Sequence, residues 1–239
     1  MSLAAVSDLP RSPESGAMDE YCEGYRATDL TATGRAVAER GWIVTSEAPL
    51  GRYRVVTFAS GFDPGTSAVC TARNGNIGVF DGTRLVGLAY SPRGSDTTLG
   101  AVEPMENGAL LVWGGDYPAP PLGELHLDED HPRLTGVAPE RTFCRRTATV
   151  PNVYGKSIEV ARAELIAYGW RPLPQTGNER EYSGVERLTR RGVIEVEACS
   201  GTGMGYCALK YQGTGGVLDV MTAGDDDRVL SYGVTCSGD

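Results

Sequence analysis

The two histidines and their acidic neighbours are, by residue type, the best candidates for metal ligands. Both lie in "ELHLDEDHPR", residues 124–133. Strand alternation would put Glu124, His126 and Asp128 on one face. Imidazole nitrogens and carboxylate oxygens bind zinc and similar cations, so His126, Asp128 and His131 are candidate ligands. Acidic loops of this kind are more often simply solvated, and we therefore predict no metal and no cofactor.

The segment "ACSGTGMGYCALKY", Ala198–Tyr211, combines glycines with two cysteines. A phosphate-binding loop needs a helix after its glycines, so that the helix N-terminus faces the anion. Here apolar and polar residues alternate after Cys207, which indicates a strand, and no Lys-Ser/Thr pair follows. Because a chain reversal at Gly203 would bring Cys199 opposite Cys207, we predict a β-hairpin closed by a disulfide.

The common sequence signatures of hydrolases, G-x-S-x-G, H-E-x-x-H and S-x-x-K, do not occur. The 31 acidic residues offer many carboxylate pairs, but their spacing selects none of them. Asp225, Asp226 and Asp227 are predicted to be a solvated hairpin tip. Trp113 and Tyr117, beside the proline-rich run 118–121, are candidates for an exposed binding face.

Composition narrows the class of partner. The 239 residues include 22 Lys and Arg against 31 Asp and Glu, a net charge of −9. Nucleic acid phosphates and anionic lipids would repel such a chain, and its basic doublets, Arg145-Arg146 and Arg190-Arg191, are too short to offset this. No apolar run approaches the roughly 20 residues that cross a bilayer. We predict no nucleic acid partner and no membrane span.

The six cysteines indicate an oxidising compartment. Their number is even, and none forms a C-x-x-C pair. We therefore predict disulfides and a periplasmic or secreted protein. Residues 1–20 lack the basic and apolar regions of an export signal, so we expect that signal to be absent from this sequence. The favoured pairings are Cys199–Cys207, Cys22–Cys70 and Cys144–Cys236, with Cys70–Cys144 as an alternative.

Two stretches share one local order: a helix, Gly-Trp and then a strand. In the later stretch Ser157 is the predicted N-cap, an apolar stripe runs from Ile158 to Tyr168, and Gly169 ends the helix before Trp170. The earlier stretch, Leu30–Glu47, has the same ending at Gly41-Trp42. Both tryptophans are predicted to be core residues where a helix joins a sheet.

The later stretch, Val150–Pro174, contains "VPNVYGKSIEVARAELIAYGW" and resembles the opening of a PASTA domain. That opening has Val-Pro-Asn/Asp-Val, a glycine and an amphipathic helix ending at glycine. The resemblance implies a small βαβββ module that recognises cell-wall peptidoglycan. The C-terminal section also resembles exported bacterial proteins that carry a Cys-Ser-Gly-Thr-Gly…Cys hairpin after such a helix.

The chain also indicates an internal duplication, because Gly82-Thr83 aligns with Gly213-Thr214 and Cys70 lies one residue from the register of Cys199. We predict an α+β fold of two related units, each a helix packed on a small antiparallel sheet and crosslinked by disulfides. Residues 1–20 would be disordered, 21–146 the first unit and 147–239 the second. The predicted function is non-catalytic binding of a cell-envelope protein or glycan. The alternative is an envelope hydrolase that uses paired carboxylates.

Overall fold

The computed structural model describes residues 3–14, 18–65, 69–91, 98–116, 119–174, 183–201 and 203–238. The chain divides into two compact units, Met1–Val137 (the first unit) and Ala138–Asp239 (the second unit). The predicted boundary lies after residue 146. The structure divides the chain earlier because the strand Glu140–Phe143 pairs with Ala148–Pro151. No helix of the described residues is long and apolar enough to cross a membrane.

The first unit is built mainly from antiparallel strands. These are β1 (Leu3–Ala4), β2 (Ile43–Leu50), β3 (Tyr53–Ala59), β4 (Gly61–Pro64), β5 (Cys70–Arg73), β6 (Asn76–Asp81), β7 (Arg84–Tyr90), β8 (Leu99–Pro104), β9 (Leu110–Gly114), β10 (Pro121–Asp128) and β11 (His131–Thr135). The larger sheet has the order β1-β7-β6-β3-β2 and the smaller one β11-β10-β9-β8, while β4 pairs with β5.

The larger sheet of the first unit is covered on both faces. One face packs on the smaller sheet, where Val55 and Val79 meet Val112 and Leu125. The other face packs on α1 (Ala32–Ala38) and on Trp42. This double burial explains why β3 reads "YRVVTFA", a nearly continuous apolar run without strict alternation.

The prediction that residues 1–20 are disordered is wrong for the described residues 3–14. β1 pairs with β7, and Leu9 is buried. The Trp42 indole N–H donates to the Pro10 carbonyl at 2.8 Å, and the Ser12 N–H donates to the Arg40 carbonyl at 2.9 Å. The polar, proline-rich composition of this segment predicts disorder. Composition does not show that the backbone groups of the segment can form hydrogen bonds with a sheet edge and with a tryptophan side chain once the chain is folded.

The second unit combines a two-stranded hairpin, a five-stranded antiparallel sheet and two helices. Its elements are β12 (Glu140–Phe143), β13 (Ala148–Pro151), α2 (Ile158–Ala167), β14 (Arg171–Pro172), α3 (Ser183–Arg190), β15 (Val196–Cys199), β16 (Cys207–Gly213), β17 (Gly216–Ala223) and β18 (Arg228–Cys236). β14 and β15 both pair with β16, and the sheet continues through β17 to β18.

Helix α2 forms where its sequence pattern predicts it. It begins after Ser157 and ends before Gly169, which has the left-handed φ of +90° typical of a helix stop. Ile158 and Leu165 are fully buried in the core of the second unit, where Trp170 also packs. Tyr168, predicted to belong to the buried stripe, is instead 47% exposed.

Three disulfides link Cys22 to Cys70, Cys144 to Cys236 and Cys199 to Cys207. These are the pairings that the sequence favoured, and each lies within one unit. The register of β15 on β16 places Cys199 directly opposite Cys207. Cys144 falls on the first-unit side of the predicted boundary, but it lies in the second unit because the strand before it pairs there.

The predicted fold class is confirmed only in part. Antiparallel sheets crosslinked by disulfides are confirmed, but the protein is β-rich, with 48% strand and 14% helix. Neither unit is a single helix on one small sheet. Residues 98–135 add a second sheet to the first unit, and α3 adds a helix to the second. The apolar run "GALLVW", residues 108–113, predicts one buried strand of the second sheet, but neither its pairing with other strands nor α3 was predicted.

Candidate functional site

The candidate metal ligands lie on β10 and β11 but face separate partners. His126 Nε2 lies 3.1 Å from Glu124 Oε2, whose side chain is buried. Asp128 accepts a hydrogen bond from Arg133 at 3.1 Å. His131 contacts a carbonyl of its own turn. Within the described ranges, no group of three His, Cys, Asp or Glu side chains could hold a metal ion. The hairpin therefore does not bring the three candidates together.

Trp113, a predicted binding residue, lines a groove of about 400 Å³ in the first unit, hereafter the aromatic groove. Tyr25 and Phe62 line it too, with ring centroids 5.4 Å apart. Much of the remaining lining is small and apolar, including Val69, Ala72, Gly100, Ala101, Gly114 and Gly115. Tyr117, the second predicted residue, lies outside the described residues.

The Cys22–Cys70 disulfide positions two of the aromatic rings. Cys22 and Tyr25 belong to the 3-10 helix Glu20–Tyr25, and the disulfide ties that helix to the start of β5. β5 pairs with β4, which carries Phe62. The Cys70 N–H donates to the Tyr25 hydroxyl oxygen at 3.3 Å and so orients the phenol ring. The groove is thus held by a covalent crosslink and a strand ladder.

Glycines bring the strands beneath the groove close together. A Cβ at Gly100 would lie 2.3 Å from the Gly114 carbonyl oxygen, and one at Gly115 would lie 2.7 Å from Thr98 Cγ2. Thr45 occupies a bulge in the β2–β3 ladder, and its hydroxyl donates to the Gly100 carbonyl at 2.9 Å. Side chains at either glycine would therefore clash with the neighbouring strand.

The aromatic groove has an acidic character. Asp116 is the one carboxylate among its described lining residues, and these include no Lys, Arg or His. The Trp113 indole N–H donates to Glu103 Oε2 at 3.0 Å, which holds a second carboxylate at the edge of the ring. Tyr25 is 39% exposed, so part of the aromatic surface remains open. The described lining residues thus combine aromatic side chains with one carboxylate, and a second carboxylate lies beside Trp113.

A second pocket in the first unit, of about 300 Å³, is more polar. Asp8 and Glu39 line it together with Arg40 and Arg84. Equal numbers of carboxylates and guanidinium groups balance its charge. The pocket therefore lacks the one-sided charge of the aromatic groove.

Asp227 corrects the prediction of a fully solvated hairpin tip in the second unit. Asp225 and Asp226 are exposed, but Asp227 is completely buried. Its carboxylate accepts hydrogen bonds from Arg187 Nη2 at 2.6 Å and Arg191 Nη1 at 2.7 Å. The sequence did not reveal this partnership because Arg187 belongs to α3, which was not predicted.

We expect Asp227 to make the second unit sensitive to acid. Burial by itself raises the pKa of Asp227, but hydrogen bonds from the two arginines outweigh it and hold the pKa below its ordinary value. The unfolded chain then binds more protons, so the stabilisation is complete above pH ~4 and is lost as the pH falls through the folded pKa. Asp227→Asn should remove this slope in melting temperatures measured between about pH 2 and 6. The control Asp226→Asn should retain it, and equal slopes in all three proteins would contradict the assignment.

Glu195 forms a second buried charge site in the second unit. It is fully buried, and its Oε1 accepts hydrogen bonds from Arg162 at 2.8 Å and from the Tyr211 hydroxyl at 2.7 Å. Glu195 Oε2 has no hydrogen-bond partner among the described residues. Burial, followed by the negative charge of Glu195, raises the pKa of Tyr211, so the phenol stays protonated and donates. This group connects α2 to the sheet.

Of the three aromatic residues that line the groove, the sequence analysis singled out Trp113 but not Tyr25 or Phe62. A signal was present, since Tyr25 lies three residues after Cys22, and the favoured pairing with Cys70 carries it toward β5. Phe62 was not predicted because it lies in "GFDPG", a pattern typical of a turn. Comparison of the chain with protein-family models, curated proteins and solved structures finds no match.

Proposed function

We propose that the protein is a non-catalytic binding module of the cell envelope and that the aromatic groove is its ligand-binding site. The observation that carries this proposal is the convergence of Tyr25, Phe62 and Trp113 on one groove of about 400 Å³. Small-molecule sites commonly have volumes of this order and are lined by apolar and aromatic side chains with a few polar groups.

Rigidity of the groove supports a binding role. The Cys22–Cys70 crosslink, the β4–β5 ladder and the close contacts at Gly100 and Gly115 preform its walls. A preformed site loses little conformational entropy when a ligand enters, so more of the contact energy contributes to affinity.

The envelope location rests on the cysteines and on the PASTA-like segment. Three disulfides favour an oxidising compartment, and we propose the periplasm or the exterior of a bacterial cell. The segment Val150–Pro174 resembles the opening of a peptidoglycan-recognition module, which favours a glycan or protein partner of the cell wall. We propose that a chemical group carried by such a partner enters the aromatic groove.

A fragment screen by ¹H–¹⁵N NMR tests the proposed site with ligands of several chemical classes. The fragments should span sugars (muropeptides included), aromatic acids, amines and neutral aliphatic compounds. We expect at least one class to shift the amide signals of Thr45, Ala72 and Gly115. Trp113→Ala should abolish these shifts, whereas Tyr90→Ala, which removes an exposed aromatic ring elsewhere in the same unit, should preserve them. Shifts confined to other surfaces, or no shifts with any class, would overturn the proposal.

A further inference from the structure

We infer that the ligand of the aromatic groove is a small organic cation with a methylated ammonium head, an inference that rests on the proposed binding function. The groove presents three aromatic side chains, Tyr25, Phe62 and Trp113, in one cavity. An aromatic ring carries negative electrostatic potential on its face and attracts a cation placed within about 6 Å of its centroid. Methylated ammonium groups are bulky and weakly hydrated, so they fill such a space without losing strong hydrogen bonds.

The charges around the groove favour a cation over a neutral or anionic ligand. The described lining contains the carboxylate of Asp116 and no basic side chain. Glu103 accepts the Trp113 indole N–H at 3.0 Å, which places another negative charge beside one of the rings. The chain as a whole carries a net charge of −9, which raises the local concentration of cations at its surface. An anionic ligand would be repelled on each of these counts.

The ring arrangement suits a rounded head group. Tyr25 and Phe62 are in contact, with centroids 5.4 Å apart and ring planes tilted by 38°, so the faces that they present are not parallel. Hydrogen bonds at the Tyr25 hydroxyl and the Trp113 indole nitrogen fix the edges of these two rings. A flat aromatic ligand would stack best on parallel faces, whereas a tetrahedral ammonium can contact several tilted faces at once.

Choline and 3,3-dimethylbutan-1-ol provide the decisive comparison, because the two molecules have nearly the same shape and only choline is charged. We expect choline to quench tryptophan fluorescence saturably and the neutral isostere to bind at least about tenfold more weakly. Equal affinity for the two molecules would overturn the inference and identify the groove as a site for neutral apolar ligands. Such a result would leave the proposed binding function intact.

Two positions assign the choline signal to the groove. Asp116→Asn should weaken choline binding by about three- to tenfold, because it removes one nearby charge and changes little of the fold. Asp226→Asn, at an exposed carboxylate of the second unit, should leave the affinity unchanged. Trp113→Phe keeps an aromatic ring without the indole N–H and should retain weakened binding, whereas Trp113→Ala should lose it.

Three further outcomes separate the inference from the proposed function. Choline binding that is unchanged in both Asp116→Asn and Trp113→Ala would overturn the inference, since the cation would then bind elsewhere. Absence of choline binding, together with groove shifts from another fragment class, would overturn the inference alone. Absence of shifts from every fragment class would overturn the proposed function as well.

Discussion

Replacing both Cys144 and Cys236 with serine is expected to lower the free energy of unfolding of the second unit by about 4–5 kcal/mol. The two cysteines are 92 residues apart. In the chain-entropy model, a crosslink over that distance restricts the unfolded chain by about this amount. Most of the second unit lies inside the loop that this disulfide closes. We therefore expect loss of the disulfide to destabilise the whole five-stranded sheet.

The turn between β12 and β13 is where we expect the folded structure to change first. Cys144, Arg145 and Arg146 have φ values of 59°, 54° and 67°, a left-handed conformation that costs an L-residue about 1–2 kcal/mol. The crosslink to β18 holds this turn in place, and Phe143 and Cys144 pack against the core beside it. Without the disulfide we expect the turn to relax and the β12–β13 hairpin to separate from the core.

Hydrogen–deuterium exchange followed by mass spectrometry measures this effect for each unit separately. Peptides from β16 and β17 should lose protection, while peptides from β3 and β6 of the first unit serve as an internal reference. The matched control is Cys199→Ser with Cys207→Ser, because eight residues of separation predict a smaller loss of about 2–3 kcal/mol. Equal losses in the two double variants would contradict the entropic explanation. Alkylatable thiols in the untreated folded protein would contradict the crosslinks themselves.

Replacing Arg162 with methionine is expected to destabilise the second unit by about 3 kcal/mol. The substitution leaves the carboxylate of Glu195 fully buried, with a hydrogen bond from the Tyr211 hydroxyl still in place. Removing one member of a buried ion pair costs about 3–5 kcal/mol because the other charge stays in a poorly solvating interior. We expect a value at the lower end, since the Arg162 side chain is 29% exposed.

A double variant separates the effect of charge from the effect of packing. Adding Glu195→Gln to Arg162→Met removes the unpaired charge but keeps an oxygen that accepts the Tyr211 hydroxyl. We expect this addition to recover at least about half of the lost stability, measured by urea unfolding. Arg171→Met, at an exposed arginine on β14 of the same unit, should change stability little. A double variant as unstable as Arg162→Met alone would show that lost packing, and not buried charge, is responsible.

Local sequence patterns predicted much of the second unit. The apolar spacing from Ile158 to Leu165, with Gly169 after it, places α2, because helix periodicity and stop signals act over a few neighbouring residues. The alternation after Cys207 predicts β16, and the intervening glycines place Cys199 opposite Cys207. These features depend on interactions between residues that are close together in the chain. A single sequence shows the spacing of such residues directly.

The aromatic groove could be predicted only in part. Trp113 stood out because it lies on a glycine-bounded stretch beside a proline-rich run. Tyr25 and Phe62 reach the groove through the Cys22–Cys70 crosslink and the β4–β5 pairing, and the crosslink joins residues far apart in the sequence. Asp227 was misjudged for the same reason, since its arginine partners lie 36 and 40 residues earlier.

The sequence by itself determined the crosslinked, antiparallel character of this protein, its net negative charge and the position of α2. Cysteine number, net charge and short-range periodicity are properties of the chain that hold before any long-range contact forms. The tertiary structure alone decided that residues 3–14 join the first unit, that Cys144 belongs to the second, and that three distant aromatic residues share one groove. Long-range strand pairing sets these outcomes, and its energy depends on which faces are buried together.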